Sequence, residues 1–247
     1  MILSTLLYEG NIGEILSETS WFINFKSPVI QSKLIIINNI KDRQLTERKI
    51  LDHISKHNDI EYFFVDDYEQ EVIDFFKLDI NKEITTGYYY IIPYFALIYK
   101  LKTGIVFHVS NDCTHHINFS DDFLLASIKE ITTNDKIPAT TISWRPPKDS
   151  HGYDVGEWEQ MEVFQHKQKS EPDMENFWYT VSLSDQVFVA NIDKFIKFDY
   201  NLTPYINPFS PGPLYCSDSW ERRATEFLYR NDMYRAVWKR SDEYYLH

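Results

Sequence analysis

Three apolar runs in this chain end in small amides and carboxylates: Asn38-Asn39, Asp66-Asp67 and Ser110-Asn111-Asp112. A carboxylate or amide at the end of the second run would read the base or ribose of a nucleotide. An acid among them can hold a divalent cation, which in turn neutralises a diphosphate. Each end taken singly is equally well a turn, because Asn, Asp and Ser begin turns; three ends of one character point to a shared cleft. Farther on, Glu157, Trp158 and Glu159 set two carboxylates around an indole. A pyranose stacks its apolar face on such a ring and offers its hydroxyls to the acids, although a solvated loop anchored by a tryptophan has the same sequence. Arg222 and Arg223 are suited to bidentate phosphate contact, but a surface face is their simpler use. His108, inside an apolar run, reads as a core histidine. Cys113, His115 and His116 lack a second Cys/His pair at ligand spacing, which disfavours zinc.

These residues need a scaffold, and the chain alternates strands with helices. Residues 33–40 (KLIIINNI) form a β-branched run of the kind buried on both faces of a sheet. Leu45, Ile50, Leu51 and Ile54 follow at roughly helical spacing. Residues 60–65 (IEYFFV) are a second strand, and Asp67 with Gln70 gives a capping-box start to a helix over 67–78. A helix over 88–102 has Ile91, Ile92, Phe95, Ile98 and Tyr99 on one face, Pro93 in its first turn and Gly104 past its end. Its tyrosines Tyr88, Tyr89 and Tyr90 read as half core, half cleft wall. It delivers the chain into a strand over 105–109. This succession, without internal repeats, predicts an α/β fold with a mainly parallel sheet. In such a sheet ligands bind at the carboxyl ends of the strands, near a switch in strand order.

The second half is less regular. A helix over 120–131 is capped by Ser120; PATTIS, MEVFQ and WYTVS are short strand candidates; residues 144–160 are a loop. Residues 184–195 begin polar and turn apolar, with Ser184 and Asp185 as good helix caps. Residues 201–216 hold four prolines and form an extended surface segment, a last helix covers SWERRATEFLYRND, and MYRAVW is a final strand. No linker divides the chain, so one domain with an irregular C-terminal portion is expected.

Composition bounds the function. With 247 residues, 43% hydrophobic and 16% aromatic, the chain can bury a sizeable core. A net charge of −12 argues against nonspecific binding to nucleic acid or to a membrane surface. No run approaches the roughly 18 to 20 apolar residues of a membrane span, and the N-terminus (MILSTLLYEG) lacks the basic and long apolar regions of a signal peptide. Cys113 and Cys216 stand far apart, which favours a reducing, cytoplasmic compartment and makes the sequons at Asn118 and Asn201 chance matches. With seven glycines and no Gly-rich phosphate loop a Rossmann dinucleotide site is disfavoured, as is an α/β-hydrolase, since no Gly-x-Ser-x-Gly occurs.

In the order of its parts the chain resembles the GT-A fold glycosyltransferases, the nucleotide-diphospho-sugar transferases. The features are a first strand ending in Asn38-Asn39, a second ending in Asp66-Asp67, a Tyr-rich helix, IVFHVSND where that family carries its Asp-x-Asp metal motif, and SDQVFVA. The likeness spans roughly residues 1 to 195. It implies a GT-A-like domain over 1–247, with residues 1–113 as the nucleotide-sugar half and 114–247 as the acceptor half. Asn38, Asn39, Asp66, Asp67, Asn111 and Asp112 would bind the donor; Glu157, Trp158, Glu159 and Gln186 would meet the acceptor. The element at SDQ resembles the acidic element near sugar and acceptor, so Asp185 would be the base, although it could instead orient the acceptor or cap a helix. The motif departs from the family at Ser110, leaving Asp112 as its one acid. The family often recruits a C-terminal histidine, here His247, and an imidazole suits Mn²⁺ better than Mg²⁺. Two readings follow: a metal-assisted glycosyltransferase acting on a nucleotide-sugar and a glycan or other hydroxyl acceptor, or a catalytically silent relative that binds a nucleotide or glycan. A glycoside hydrolase is a distant third, since no carboxylate pair stands out.

Overall fold

The computed structural model describes residues 1–79, 88–111, 113, 117–144, 176–180, 183–202, 219–239 and 243–245. In chain order its strands are β1 (Ile2–Leu7), β2 (Ser32–Ile37), β3 (Ile60–Phe64), β4 (Ile105–Val109), β5 (Ile117–Asn118), β6 (Ala139–Thr141), β7 (Ser143–Trp144), β8 (Phe177–Thr180), β9 (Val187–Asn191), β10 (Arg235–Trp238) and β11 (Tyr244–Tyr245). The helices are α1 (Ile12–Ile15), α2 (Trp21–Asn24), α3 (Arg43–Ile54), α4 (Glu69–Phe76), α5 (Tyr88–Leu101), α6 (Asp121–Thr133), α7 (Ile192–Phe195) and α8 (Trp220–Arg230).

One eight-stranded sheet has the order β3-β2-β1-β4-β9-β6-β10-β8. Strands β9 and β8 run against their neighbours and the rest run together, so the sheet is mixed but mostly parallel, as expected. The chain moves outward from β1 to β2 and β3, then returns to place β4 on the other side of β1. That reversal is a switch point, and it opens a crevice at the carboxyl ends of β1 and β4.

Strand β1 corrects the reading of the N-terminus: these residues form an interior strand, and the strand ending at Asn38 is the second. The two hydroxyls Ser4 and Thr5 interrupt its apolar run, yet both are fully buried. Each is satisfied by β4: Ser4 Oγ lies 2.9 Å from His108 Nδ1, and Thr5 Oγ1 donates to the Val109 carbonyl at 2.8 Å. Buried hydroxyls are tolerated when they are bonded in this way.

Both sheet faces are covered. On one, Leu3, Leu7, Ile35, Ile37 and Phe107 pack with Ile50 of α3 and with Phe123 and Ile131 of α6. On the other, Leu34, Ile36, Val106 and Phe188 pack with Phe76 of α4, Phe95 of α5 and Leu228 of α8. Two-sided burial is why β2 reads as an unbroken apolar run; each such side chain contributes about 1.5–3 kcal/mol.

Several local expectations change. Helix α3 is capped by Asp42, whose side chain accepts from the Leu45 N–H at 2.9 Å, and it buries Ile50 but exposes Leu45 and Leu51. Asp67 does not cap α4: it ends a 3-10 turn, Tyr68 is the N-cap, and a long-range ion pair with Arg43 takes the carboxylate instead. Pro93 is inside α5 rather than in its first turn. Ser120 occupies the N-cap of α6, but its hydroxyl donates to Glu243 at 2.7 Å instead of capping. The alternative in which Ser184 or Asp185 caps a helix does not hold: the segment that follows is β9, because β4 and β6 offer it ladder partners on both sides. The small sheet β5-β11-β7 brings the C-terminal segment back beside α6, where buried Glu243 also accepts the Ser120 N–H at 3.2 Å. MEVFQ and most of the proline-rich segment lie outside the described residues.

Candidate functional site

The ends of β1, β2, β3 and β4 and the start of antiparallel β9 share one edge of the sheet. A cleft of about 230 Å³ opens there, between Asn38, Asn39 and Lys41 on one side and Val65, Asp66 and Glu69 on the other, with Ile92 behind. The main chain turns sharply at Asn39, which adopts φ 53°, a left-handed conformation that asparagine tolerates better than most residues. Asn38 is buried, and its N–H donates to the Leu7 carbonyl at 2.9 Å, tying the end of β2 to that of β1.

The two acids after β3 have different surroundings. Partial desolvation, and then the charge of Glu69, pushes the Asp66 carboxyl up from its ordinary value, and Asp66 faces the cleft. Asp67 is drawn down by hydrogen bonds from Arg43, whose Nη1 and Nη2 reach its oxygens at 2.5 and 2.7 Å. The Arg43 guanidinium also lies 4.1 Å from the centroid of the Phe64 ring. Asp66 is therefore the residue available to a ligand, while Asp67 fixes the arginine beside it.

Tyr8 follows β1 at the switch point and is 46% exposed. Its N–H donates to Asn11 Oδ1 at 2.8 Å, and buried Asn11 also donates to the Leu6 carbonyl at 3.4 Å, so the loop is pinned. A side chain at Gly10 would meet the Tyr8 ring at 3.2 Å; glycine there lets the ring lie against the loop. Sequence reasoning missed Tyr8 because it missed β1.

After β4 the chain is stitched to the start of β9. The Ser110 N–H donates to the Gln186 carbonyl at 2.6 Å, the Cys113 N–H returns to the Ser110 carbonyl at 3.0 Å, and Asn111 is buried in this turn. Half-exposed Asp185 and Gln186 therefore stand beside the Ser110-Asn111 strand end. The Asp185 carbonyl accepts from Tyr94 Oη at 3.1 Å.

Beside Asp185 is an acid that sequence reasoning did not select, Glu221. Ser219 caps α8, its Oγ accepting the Arg222 N–H at 3.4 Å. Trp220 then stacks on Tyr94, with ring centroids 5.0 Å apart, and this anchor sets Glu221 against Asp185. Burial, and next the charge of Asp185, pushes the Glu221 carboxyl up to about 8, against the opposing charge of Arg222. The capped helix start was legible; its landing point was not. Arg223, expected on the surface, is buried and donates to the Tyr200 carbonyl at 2.9 Å.

Asp112, Glu157, Trp158, Glu159 and His247 lie outside the described residues. Among the described residues no group of three or more His, Cys, Asp or Glu side chains is placed to hold a metal ion. A second, more open cleft of about 370 Å³ lies at the opposite edge of the sheet, near Phe25, Ser27, Lys33 and Asp59. Lys33 there is already engaged by the Ile23 carbonyl at 2.5 Å and by Asp59 at 3.9 Å. Among the described residues no helix is long and apolar enough to cross a membrane.

No protein-family model matches the chain, and no curated protein matches it in sequence. Solved structures match it in fold. GalNAc-T7, crystallised with UDP, GalNAc and Mn²⁺, aligns with a TM-score of 0.55 at 9% identity, over 100% of this chain and 43% of that one. TarS from S. aureus aligns with a TM-score of 0.47 at 13% identity, over 99% and 35% respectively. The galactosyltransferase LgtC aligns with a TM-score of 0.39 at 10% identity, over 81% and 60%. The chain thus spans less than two thirds of each of these proteins. GalNAc-T7 carries the comparison, and at this identity it speaks to the fold: the chain has the GT-A architecture that the order of its parts implied.

Proposed function

We propose that the chain transfers a sugar from a nucleotide-diphospho-sugar to an acceptor hydroxyl. The observation that carries this reading is a juxtaposition at one sheet edge: the cleft lined by Asn38, Asn39 and Asp66 on one side of the switch point, and Asp185 on the other. The base and ribose would lie in the cleft, read by Asn38, Asn39 and Asp66, with the Tyr8 ring as a stacking surface. Asp67 would act through Arg43. The diphosphate would be met by Asn111 and Asp112. Mn²⁺ or Mg²⁺ would be held by Asp112, His247, diphosphate oxygens and water, and would offset the negative charge gathered there. Residues 1–113 would form the donor half and 114–247 the acceptor half of one domain, in a reducing, cytoplasmic setting.

In the reaction the bond from the anomeric carbon to the diphosphate oxygen breaks and a bond from that carbon to the acceptor oxygen forms. The acceptor proton passes to Asp185, whose place beside the β4 end supports this role. Gln186, Glu157, Trp158 and Glu159 would hold the acceptor. Ser110, standing where the related motif has an acid, favours one second reading, a protein that binds the nucleotide without turnover. Calorimetry with nucleoside diphosphates, with and without Mn²⁺, followed by donor consumption across a nucleotide-sugar panel, separates the two. Binding with turnover supports transfer, binding alone supports the silent reading, and absence of any binding removes both.

A further inference from the structure

The cleft of about 370 Å³ at the sheet edge opposite Asn38 and Asp66 holds a buried cation short of partners. Lys33 is the second residue of β2, and its side chain is 4% exposed. An ammonium group carries three N–H donors. Among the described residues the Ile23 carbonyl takes one at 2.5 Å, while Asp59 at 3.9 Å is an ion pair beyond hydrogen-bond reach. Two donors of a buried charge are thus left without an acceptor there, which costs free energy unless a ligand or water supplies one. We propose that this cleft binds a small monocarboxylate with an apolar or aromatic body, its carboxylate accepting from Lys33 Nζ. Such a site would exist whether or not the chain transfers sugars.

The lining sets the ligand class. Phe25, Pro28 and Ile30 give the cleft an apolar wall, and Lys26, Lys33 and Asp59 are its charged residues. Two ammonium groups and one carboxylate leave a single positive charge, which one carboxylate balances and a phosphate dianion exceeds. The anion would take the free Lys33 donors, exposed Lys26 would reach over the mouth, and the apolar body would lie against Phe25. The volume falls in the range of small-molecule pockets, roughly 300–1,000 Å³. The walls are fixed before any ligand arrives. The Ile30 N–H donates to the Ser27 carbonyl at 3.1 Å, closing a turn around Pro28, and Ser27 Oγ donates to Asp121 of α6 at 2.5 Å. Phe25 stacks on Trp21, with ring centroids 4.8 Å apart, and also meets Phe107 and Phe119. Lys33 is held in its strand, its N–H donating to the Asp59 carbonyl at 2.7 Å. Burial draws the Lys33 ammonium down from its ordinary value against the charge of Asp59, as expected of a cation with too little negative charge around it.

The test follows the fluorine NMR signal of 4-fluorobenzoate titrated against the full chain, with neutral 4-fluorobenzamide and inorganic phosphate as comparisons. The wild type should bind 4-fluorobenzoate saturably with a Kd on the order of 1 mM, an ordinary affinity for so small a ligand. The amide, which lacks the charge, should bind about tenfold or more weakly. Lys33→Met should weaken 4-fluorobenzoate about tenfold or more, and Lys26→Gln about two- to fivefold. Asp59→Asn, at an exposed position, should tighten it about two- to fivefold by leaving more positive charge unopposed, and keeps the test decisive should Lys33→Met fail to fold. Excess uridine diphosphate should leave the bound signal unchanged. No saturable binding at about ten times the expected Kd would mean that water alone serves Lys33 and overturns the proposal. Equal binding of the amide, displacement by uridine diphosphate, or an Asp59→Asn affinity equal to that of the wild type overturns it as well. Tighter binding of phosphate than of 4-fluorobenzoate overturns it in favour of a site for inorganic anions.

Discussion

His108 should make this protein sensitive to acid in a way that one pair of substitutions removes. The ring is fully buried in β4, facing Phe188 nearly parallel at 5.1 Å and the Tyr94 ring at 5.5 Å. Its Nδ1 meets Ser4 Oγ at 2.9 Å, while Nε2 has no hydrogen-bond partner among the described residues. A protonated ring would carry an unpaired charge in an apolar slot, and burial lowers its pKa from 6.5 to about 3. The sign follows from which state binds the proton. Between these values the unfolded chain is protonated and the folded chain is not. Stability is therefore full above about pH 6.5 and is lost as the pH falls toward 3. Each unit of pKa difference corresponds to about 1.4 kcal/mol, so the loss is about 3 kcal/mol at pH 4.5 and about 4 kcal/mol at pH 3. That is a large part of the roughly 5–15 kcal/mol that holds a domain folded. Replacing His108→Phe keeps an aromatic ring in the slot, and Ser4→Ala removes the hydroxyl that would lose its partner. Urea unfolding of both proteins at pH 7 and pH 4.5 reads the difference. The wild type should lose about 2–3 kcal/mol more than the double variant over this interval. Equal losses would refute the argument, by showing that His108 takes up its proton in the folded state without cost.

Tyr8→Ala should weaken nucleoside diphosphate binding by about 1–3 kcal/mol, the value of one base on an aromatic ring, with the fold unchanged; calorimetry and thermal unfolding together read this. Glu243→Ala removes the acceptor of both Ser120 bonds from a buried position. It should cost about 1.5–3 kcal/mol and speed hydrogen exchange in β5 and β11, as seen by mass spectrometry; unchanged exchange would mean that the small sheet does not depend on this anchor.

Much of this architecture was readable from local chemistry. The runs that became β2 and β4 are apolar on both faces because helices cover both sides of the sheet, and the polar ends of β2 and β3 mark the edge where the cleft opens. What was not readable depended on partners distant in sequence. Strand β1 hides behind Ser4 and Thr5, which look like surface residues until β4 satisfies them. Asp67 looks like a helix cap until Arg43 claims it. The stretch after Asp185 has a polar start that suits a helix, and only the ladders of β4 and β6 make it a strand. Glu221 is an ordinary first-turn acid in sequence. Its meeting with Asp185 is decided by Trp220 packing on Tyr94, a contact with no local signal.

The central claim is that Asp185 takes the acceptor proton at this sheet edge. The most direct measurement follows donor consumption by wild type and Asp185→Asn side by side, with donor affinity measured on the same samples. The account predicts that the wild type releases a nucleoside diphosphate from at least one nucleotide-sugar when an acceptor is present. Asp185→Asn should bind that donor equally well and turn it over about 10²- to 10⁴-fold more slowly. An Asp185→Asn protein that transfers sugar at the wild-type rate would contradict it.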